Sequence, residues 1–290
     1  MANIERSRAQ RLDQKVVEII PQLSRAFAGK LIDEGKVTVN GTVRLKAGYK
    51  PHEGDDVVID YDLTEMDNIP AIELEVLYED DDCVVINKPV GLLTHSKGAF
   101  NPEPTVATWL RSRVAEMDAS QNSRAGIVHR LDRATSGVMI CAKTPEALSW
   151  LQKQFAQRRT KKTYFAVIKG TLDPAEAVID MPIERNPKAP ATFRVGPNGK
   201  PSKTVYKIIS TSVDDNYSLV ELKPETGRTH QLRVHLAKLE HPIVGDVLYN
   251  GEPADRLYLH AAELEVTIPK GHERKVFNVP VPHEFKAKTS

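Results

Sequence analysis

Residues 72–89, with the sequence IELEVLYEDDDCVVINKP, decide the fold class of this chain. They consist of two apolar runs, 72–78 and 83–89, separated by four acidic residues. Strand-like runs joined by a short polar turn predict a hairpin, in which the strands are antiparallel. TVYKIIS and YSLVELKP form a second pair of this kind at 204–210 and 217–224. Helical segments interrupt these pairs irregularly, so we predict an α+β fold with a mixed, largely antiparallel sheet.

The N-terminal part of the chain has a different pattern. RLDQKVVEII (11–20) has its apolar residues at helical spacing. A second helix is predicted in SRAFAGKLIDEG (24–35), where a serine is placed to cap the start and a glycine to cap the end. In KVTVNGTVRL (36–45), Asn40-Gly41 is the strongest two-residue hairpin signal. We therefore predict two helices followed by a small antiparallel sheet.

The 290 residues are enough for two domains. DLTEMDNIP, at 62–70, is polar, lacks periodicity and ends in proline. The sequence therefore predicts a small N-terminal domain at 9–62, a linker at 63–70 and a larger domain at 71–290.

The composition is that of a soluble globular protein, with 40% hydrophobic and 27% charged residues. No apolar run approaches the ~18 residues that span a bilayer, and the polar start lacks the apolar core of a signal peptide. We therefore expect a cytoplasmic protein that makes no membrane contact. Cys83 and Cys141 lie in apolar runs and are predicted to be buried thiols. The histidines lack metal-ligand spacing, so no metal site is expected.

Charge is distributed unevenly although the net charge is only +1. Residues 1–50 contain ten Lys or Arg and five Asp or Glu. A second basic cluster comprises Arg158, Arg159, Lys161 and Lys162, and a third is spread over 185–203. Local basic patches can bind a polyanion within a neutral chain, although a solvated surface is the more common explanation for any one of them.

The stretch GIVHRLDRATSG (126–137) contains one carboxylate, Asp132, between two arginines. Alone, this pattern favours a structural ion pair in a turn, because Arg and Asp pair readily. Three further stretches place Lys, Tyr, Arg and His side chains at the ends of predicted core elements, where functional sites tend to form. They are NKPVGLLTH (87–95), KKTYFAVIKG (161–170) and TGRTHQLRVH (226–235).

These four stretches, in this order, resemble the RluA family of RNA pseudouridine synthases, of the ribosomal large subunit type. The resemblance runs from about residue 71 to 284 and includes TGRTHQLRVHLAKLEHPIVGDVLY and LHAAEL. The module at 9–62 resembles an S4 RNA-binding domain through RLD, SRAFAGKLIDEGKVTVNG and GDDVVID. A long ordered set of motifs is far more specific than any one of them.

The resemblance implies that selected uridines are isomerised to pseudouridine, without metal or organic cofactor. It implies that Asp132 is the catalytic residue and that Tyr164 and Arg233 share its site. A carboxylate can stabilise or attack the cation-like sugar formed when a glycosidic bond breaks, or remove a sugar proton. The sequence leaves these routes open. A guanidinium favours the ionised carboxylate, so Arg233 is expected to hold Asp132, while Tyr164 offers a face on which uracil can stack.

A uridine inside structured RNA must leave the stack to be reached. The resemblance implies that Arg130 fills the vacated space. Further RNA contacts are expected from Lys88, His95 and Arg228 along a channel, and from Arg25 and Lys30 in the S4-like module. We expect His230 and His235 to support the site rather than act as reagents.

The expected substrate is ribosomal RNA, specifically 23S RNA, acted on by a monomer. Three alternatives remain open from the sequence: the same chemistry on transfer RNA, a non-catalytic RNA-binding or ribosome-assembly factor, and a carboxylate glycosidase. The last would require a second acid opposite Asp132, for which the sequence has no evident candidate.

Overall fold

The computed structural model describes residues 10–21, 23–61, 69–96, 103–114 and 126–289. The described residues fall into two compact units, one made of 10–21, 23–61, 69–72, 95–96 and 103–109, and the other of 73–94, 110–114 and 126–289. Most of the predicted linker at 63–70 lies outside the described residues.

The first unit contains two helices followed by three short strands, as the sequence predicts. These elements are α1 (Leu12–Ile19), α2 (Arg25–Asp33), β1 (Val37–Val39), β2 (Thr42–Val43) and β3 (Val57–Ile59). The strands form an antiparallel sheet in the order β2-β1-β3. The Ser24 hydroxyl accepts a hydrogen bond from the Phe27 amide at the start of α2. Asn40 and Gly41 both have positive φ, which is the geometry of the predicted hairpin turn.

The core of this unit is made by apolar residues that repeat at helical spacing in the helices and alternate in β1. Its buried members include Leu12, Val16, Phe27, Leu31, Ile32, Val37 and Val39. Burial of one face of each element is what holds so small a unit together.

The second unit is built on a nine-stranded sheet in the order β4-β5-β6-β13-β7-β12-β11-β8, with β14 paired to β13. Among the described strands the pairs are antiparallel except β6 with β13, which confirms the predicted mixed, largely antiparallel sheet. The strands of this sheet are β4 (Glu75–Glu79), β5 (Cys83–Lys88), β6 (Ser136–Ala142), β7 (Lys161–Lys169), β8 (Glu176–Asp180), β11 (Lys203–Thr211), β12 (Tyr217–Pro224), β13 (Leu259–Thr267) and β14 (Arg274–Asn278).

A separate two-stranded sheet pairs β9 (Ile183–Arg185) with β10 (Phe193–Val195). This confirms a hairpin within 180–204, where the sequence predicts a loop or weak hairpin. The remaining helices are α3 (Val106–Leu110), α4 (Pro145–Ala156), α5 (Gln231–Lys238) and α6 (His283–Lys288).

Helix α3 is shorter than the sequence predicts. Apolar spacing predicts a helix from about Thr105 to Met117, whereas the α-helix ends at Leu110 and continues as a 3-10 turn at Arg111–Arg113. Met117 lies outside the described residues. Cys83 and Cys141 are buried, as predicted. No helix in the described ranges is long and apolar enough to cross a bilayer.

Two backbones approach each other closely at Gly137, next to the loop that carries Asp132. It pairs with Ala261 where β6 and β13 run parallel, with φ of +117°. A Cβ at Gly137 would lie 2.1 Å from the Ala261 carbonyl oxygen. Only glycine fits there, and the residue fixes the point at which the loop carrying Asp132 enters the sheet.

Candidate active site

A cleft of about 460 Å³ opens in the second unit. Its walls are the loop before β6, the end of α4, the start of β7 and the turn that leads into α5. This volume is typical of pockets that hold a small ligand. Asp132, Tyr164 and Arg233, which the sequence predicts to share a site, all line it, together with Arg130 and Arg228.

The backbone of the loop that carries Asp132 is firmly held. The Thr94 hydroxyl donates to the Leu131 carbonyl at 2.7 Å and accepts from the Leu131 amide at 3.2 Å. The Thr135 amide donates to the Asp132 carbonyl at 3.0 Å, closing the turn. At the end of the loop, the Ser136 hydroxyl lies 2.8 Å from His260 Nδ1. These contacts fix where the Asp132 side chain begins.

The carboxylate of Asp132 is bound much more loosely than its backbone. Its side chain is 19% exposed, and within the described residues it accepts no hydrogen bond. Its nearest cationic or ring nitrogens are Arg233 Nη1 at 3.5 Å and His230 Nε2 at 3.7 Å. The carboxylate therefore faces the cleft with its lone pairs available to a ligand.

Arg233 lies within ion-pair distance of Asp132, at 3.5 Å, and has a second, closer partner that the sequence did not predict. Its Nε and Nη2 donate to the two carboxylate oxygens of Asp246, each at 2.7 Å. Both side chains are nearly inaccessible. Burial alone would lower the pKa of Arg233, but the bonds and charge of Asp246 raise it. Asp246 thus binds one edge of the guanidinium, through Nε and Nη2, and leaves Nη1 near Asp132.

His230 and Tyr249 form a second supporting pair. The Tyr249 hydroxyl lies 2.7 Å from His230 Nδ1 and accepts a hydrogen bond from the Phe193 amide at 3.0 Å. This contact fixes the orientation of the His230 ring, with Nε2 as the ring nitrogen nearest Asp132 at 3.7 Å. Burial lowers the pKa of His230, more than the charge of Asp132 raises it. His230 was expected to support the site, and its side chain also lines the cleft.

Tyr164 lies on β7, with its ring partly buried against the core. Burial, together with the charge of Asp132, raises the pKa of its hydroxyl well above the usual value. Within the described residues that hydroxyl has no hydrogen-bond partner. Tyr164 therefore offers the cleft a neutral O–H group and part of an aromatic ring.

Lys88 does not lie where an RNA contact is possible. Its side chain has no exposed surface, and its ammonium donates to the carbonyls of Pro89, Leu92 and Arg133 at 2.9, 2.8 and 3.4 Å. Burial lowers the pKa of Lys88 to about 7, against the charge of Asp132, which raises it. Lys88 therefore holds the neighbouring loops together, and the predicted RNA contact is wrong.

The other predicted RNA contacts occupy different positions. His95 is buried, with 8% of its surface exposed. Arg228 lines the cleft, and its Nε donates to the Pro201 carbonyl at 3.2 Å. Arg130 is exposed at the cleft and, within the described residues, has no hydrogen bond or ion pair. Arg130 and Arg228 are therefore accessible to a ligand in the cleft, and His95 is not.

Comparison with protein families identifies the chain. Residues 82–238 match the RNA pseudouridylate synthase family, and residues 10–57 match the S4 domain family. The first match covers more than half of the 290 residues. The chain belongs to the RNA pseudouridylate synthase family. It is therefore a pseudouridine synthase, an isomerase, with an S4 domain at its N-terminal end.

Curated relatives of the synthase are similar over nearly its whole length. Ribosomal large subunit pseudouridine synthase D of Vibrio parahaemolyticus is 35% identical over 298 residues, covering 97% of this chain and 90% of the relative. The protein of the same name from Escherichia coli strain K12 is 36% identical with the same coverage.

Two solved structures share the fold of the synthase. Human RNA Pseudouridylate Synthase Domain Containing 1 has a TM-score of 0.59 and 30% identity, and covers 72% of this chain and 83% of that one. Human RNA Pseudouridylate Synthase Domain Containing 4 has a TM-score of 0.57 and 26% identity, with coverages of 73% and 90%. These similarities agree with the mixed sheet described above.

In the S4 domain, both predicted RNA contacts are surface residues. Arg25 Nη2 lies 2.8 Å from Asp13 Oδ2, and more than half of the arginine side chain is exposed. Lys30 is similarly exposed, with its ammonium 3.8 Å from Glu34. The Lys30–Glu34 pair is exposed on both sides, and such pairs contribute little to stability, so Lys30 remains available to a polyanion. Arg25 presents its exposed surface while it is paired with Asp13, whose side chain is buried.

Two residues of the synthase site, Asp246 and Tyr249, are absent from the sequence prediction. Both lie in HPIVGDVLYNG, at 241–251. Asp246 is a single carboxylate in an otherwise apolar stretch, which predicts a buried charge. A buried charge requires a partner, so this pattern could have indicated an ion pair. Nothing in the local spacing names Arg233 as that partner.

Proposed function

We propose that the synthase isomerises uridines to pseudouridine in ribosomal RNA of the large subunit, 23S RNA, with Asp132 as its catalytic carboxylate. The observation that carries this proposal is the state of Asp132, which has a fixed backbone and a carboxylate open to a cleft of about 460 Å³. The names of the relatives, which are large-subunit enzymes, support the choice of RNA.

The reaction breaks the bond between uracil N1 and ribose C1′, turns the uracil and joins C5 to C1′. The proton on C5 leaves to solvent, and N1 gains one. Asp132 acts on the ribose, either by bonding to C1′ or by removing the proton at C2′, and both routes need the ionised carboxylate. A primary isotope effect with deuterium at C2′ would indicate proton removal, and its absence would indicate attack at C1′.

Arg233 and His230 support this carboxylate from one side of the cleft. Nη1 of Arg233, at 3.5 Å, stabilises the negative charge of Asp132 without forming a hydrogen bond that would compete with the ribose. Asp246 holds that guanidinium in place through two further bonds. Tyr164 supplies a partly buried ring against which uracil stacks.

The target uridine has to leave the RNA stack to reach Asp132, at a cost of a few kcal/mol. Arg130, which is exposed and unpaired among the described residues, is placed to occupy the space that the base vacates. Arg228 is accessible for backbone contacts along the same cleft.

We further propose that residues 9–62 act as a separate RNA anchor joined by the segment 63–70 to a catalytic domain at 71–290. Arg25 and Lys30 are exposed cations on α2 and are proposed to bind phosphates. A second anchor raises the effective concentration of RNA at the catalytic cleft. This arrangement favours a large structured RNA over a small one.

Release of tritium from RNA labelled at uracil C5 tests the activity directly, because that proton is lost only when C5 bonds to C1′. We expect release from large-subunit ribosomal RNA by the wild-type protein and none by Asp132→Asn, with RNA affinity retained. Equal release by Asp132→Asn would remove Asp132 from the mechanism. Free uracil as the product would indicate a glycosidase.

The choice of RNA is tested by comparing substrates. Release from transfer RNA but not from ribosomal RNA would assign the same chemistry to a different substrate. Tight ribosomal RNA binding without release from any RNA would indicate a non-catalytic factor. Deleting residues 1–62 is expected to weaken binding to full-length ribosomal RNA and to reduce its salt dependence, with little effect on turnover of a short substrate.

A further inference from the structure

The basic cluster at 158–162 is divided by the fold into two pairs. Arg158 and Lys162 line the catalytic cleft, whereas Arg159 and Lys161 do not. Lys161 Nζ lies 3.1 Å from a carboxylate oxygen of Glu265. Successive side chains of a strand point to opposite faces, which places Lys162 on the same face of β7 as Tyr164. The two pairs therefore differ in location although they are adjacent in sequence.

Lys162 is a half-buried cation that lacks a counter-ion. Within the described residues its ammonium makes no hydrogen bond and no ion pair. Burial lowers its pKa accordingly. Removing an ammonium group from water without pairing it is unfavourable, so an anion supplied by a ligand would stabilise this position. The nearby ring of His129 cannot act as the counter-ion, because a histidine side chain is either neutral or positive.

Arg158 occupies a backbone position that favours glycine. It follows the last turn of α4 with φ of +57°. Its amide donates to the Phe155 carbonyl, and the next amide, of Arg159, donates to the Gln154 carbonyl at 2.9 Å. This is the left-handed helix ending in which glycine is the usual residue. These bonds hold the backbone of Arg158 at the rim of the cleft, while its side chain is exposed and has no ion pair in the described structure.

We propose that Lys162 and Arg158 bind one phosphate of the RNA backbone next to the uridine that enters the cleft. Side chains two residues apart on one strand face are separated by about 7 Å. With uracil against Tyr164, Lys162 therefore lies where the phosphate of the same or the adjoining nucleotide would reach. Lysine as a point charge and arginine as a fork are the usual phosphate ligands. This subsite rests on the proposed function and would set the register of the strand relative to Asp132.

The test measures affinity for an RNA stem–loop of the large subunit that contains one loop uridine. Asp132→Asn serves as the background, so that the RNA is not consumed. We expect Lys162→Met to weaken binding about tenfold, as for one charge-assisted hydrogen bond, and to reduce the salt slope by about one. The matched control Lys161→Met, one residue away on the opposite face, is expected to stay within about twofold.

Arg158→Gly keeps the subsite testable if Lys162→Met fails to fold. Glycine is favoured at this φ, so the melting temperature is expected to stay equal or rise while affinity falls. Arg159→Gln is the matched control, with unchanged affinity expected. A loss of affinity in Arg159→Gln equal to that in Arg158→Gly would overturn the assignment, because it would reflect general surface charge.

The phosphate that is bound can be identified with two modified RNAs. In one the phosphate on the 5′ side of the loop uridine is replaced by an uncharged methylphosphonate, and in the other the phosphate on the 3′ side is replaced. One of the two modified RNAs is expected to bind the Asp132→Asn protein more weakly, by the same factor as the Lys162→Met substitution. Combining that RNA with the Lys162→Met protein should then cause no further loss of affinity. Additive losses at both positions would overturn the proposal and indicate a contact with uracil instead. Because the readout is affinity, it is independent of whether tritium is released, so failure of the proposed function would be seen separately.

Discussion

Two loops meet at Arg233, and they hold their carboxylates in opposite ways. The loop at 129–136 is fixed through its backbone, while the carboxylate of Asp132 lies 3.5 Å from Nη1 and is 19% exposed. The loop at 243–251 directs Asp246 into two hydrogen bonds of 2.7 Å, and this side chain is 1% exposed. The Arg233 guanidinium is thus held by Asp246 and lies beside the candidate catalytic carboxylate of Asp132.

This difference separates reactivity from stability. A carboxylate whose oxygens are already occupied by a bidentate arginine is a poor reagent, since a ligand would have to displace those bonds. Asp246 takes that position and leaves Asp132 open to substrate. Substitutions of the two carboxylates and of the residues around them are therefore expected to affect turnover and stability differently.

Replacing Asp132 should remove activity and leave the fold intact. We expect Asp132→Ala to lower turnover by about 10²–10⁴-fold or more, as for loss of a catalytic carboxylate. The free energy of unfolding should change by less than about 1 kcal/mol, because the carboxylate is partly exposed and makes no hydrogen bond in the described structure. Tritium release and urea denaturation measure the two quantities. A large loss of stability would make Asp132 a structural residue.

Replacing Asp246 should have the opposite profile. Asp246→Ala leaves the Arg233 guanidinium buried without its bidentate partner, and removal of one member of a buried pair costs about 3–5 kcal/mol. Activity should also fall, because Arg233 can then turn towards Asp132 and bind it directly. Urea denaturation is the decisive measurement. Stability unchanged by this substitution would show that the two carboxylates are interchangeable partners of Arg233.

Removing the Tyr249 hydroxyl tests the support beneath His230. Tyr249→Phe leaves the Phe193 amide and His230 Nδ1 without this partner, which should cost about 1–3 kcal/mol. Turnover should also fall, since the orientation of the His230 ring beside Asp132 is no longer fixed. Tyr206→Phe is a matched control, because its hydroxyl donates to the Pro174 carbonyl away from the cleft. Equal effects of both variants on turnover would contradict a specific role for Tyr249.

Acidification tests the loop that carries Asp132. Burial lowers the pKa of His129 to about 3, below the unfolded value near 6.5. The unfolded chain therefore binds a proton between pH 6.5 and 3 that the folded protein does not, and stability falls as pH falls. Between pH 6 and 5 His129 contributes a loss of about 1 kcal/mol.

The corresponding variant is His129→Gln, which lacks the titrating group. It should lose about 1 kcal/mol less than the wild-type protein over the same pH interval. Burial also lowers the pKa values of His230 and His235, so the difference between the two proteins is the quantity to measure. Parallel pH profiles for the two would show that His129 is not kept neutral by the fold.

The prediction of the fold succeeded where the signals are local. The hairpin at 72–89 and the Asn40-Gly41 turn depend on neighbouring residues, and both form in the structure. Apolar spacing predicts that helix α3 extends beyond Leu110, where the α-helix ends. The spacing does not indicate the end of the helix, because tertiary packing can override local propensity. The short pairing of β9 with β10 was only weakly indicated, since three-residue strands carry little periodicity.

The sequence, through the family resemblance of its motifs, predicted that Asp132, Tyr164 and Arg233 share one site, and all three line the cleft. In the sequence Lys161 and Lys162 belong to one basic cluster, and the alternation of side chains along β7 separates them. Only the folded chain shows that Arg233 donates two hydrogen bonds to Asp246 while its Nη1 pairs with Asp132 at 3.5 Å. Pairing between residues distant in the chain depends on how strands and loops are brought together, and burial then selects the partner that can satisfy the charge.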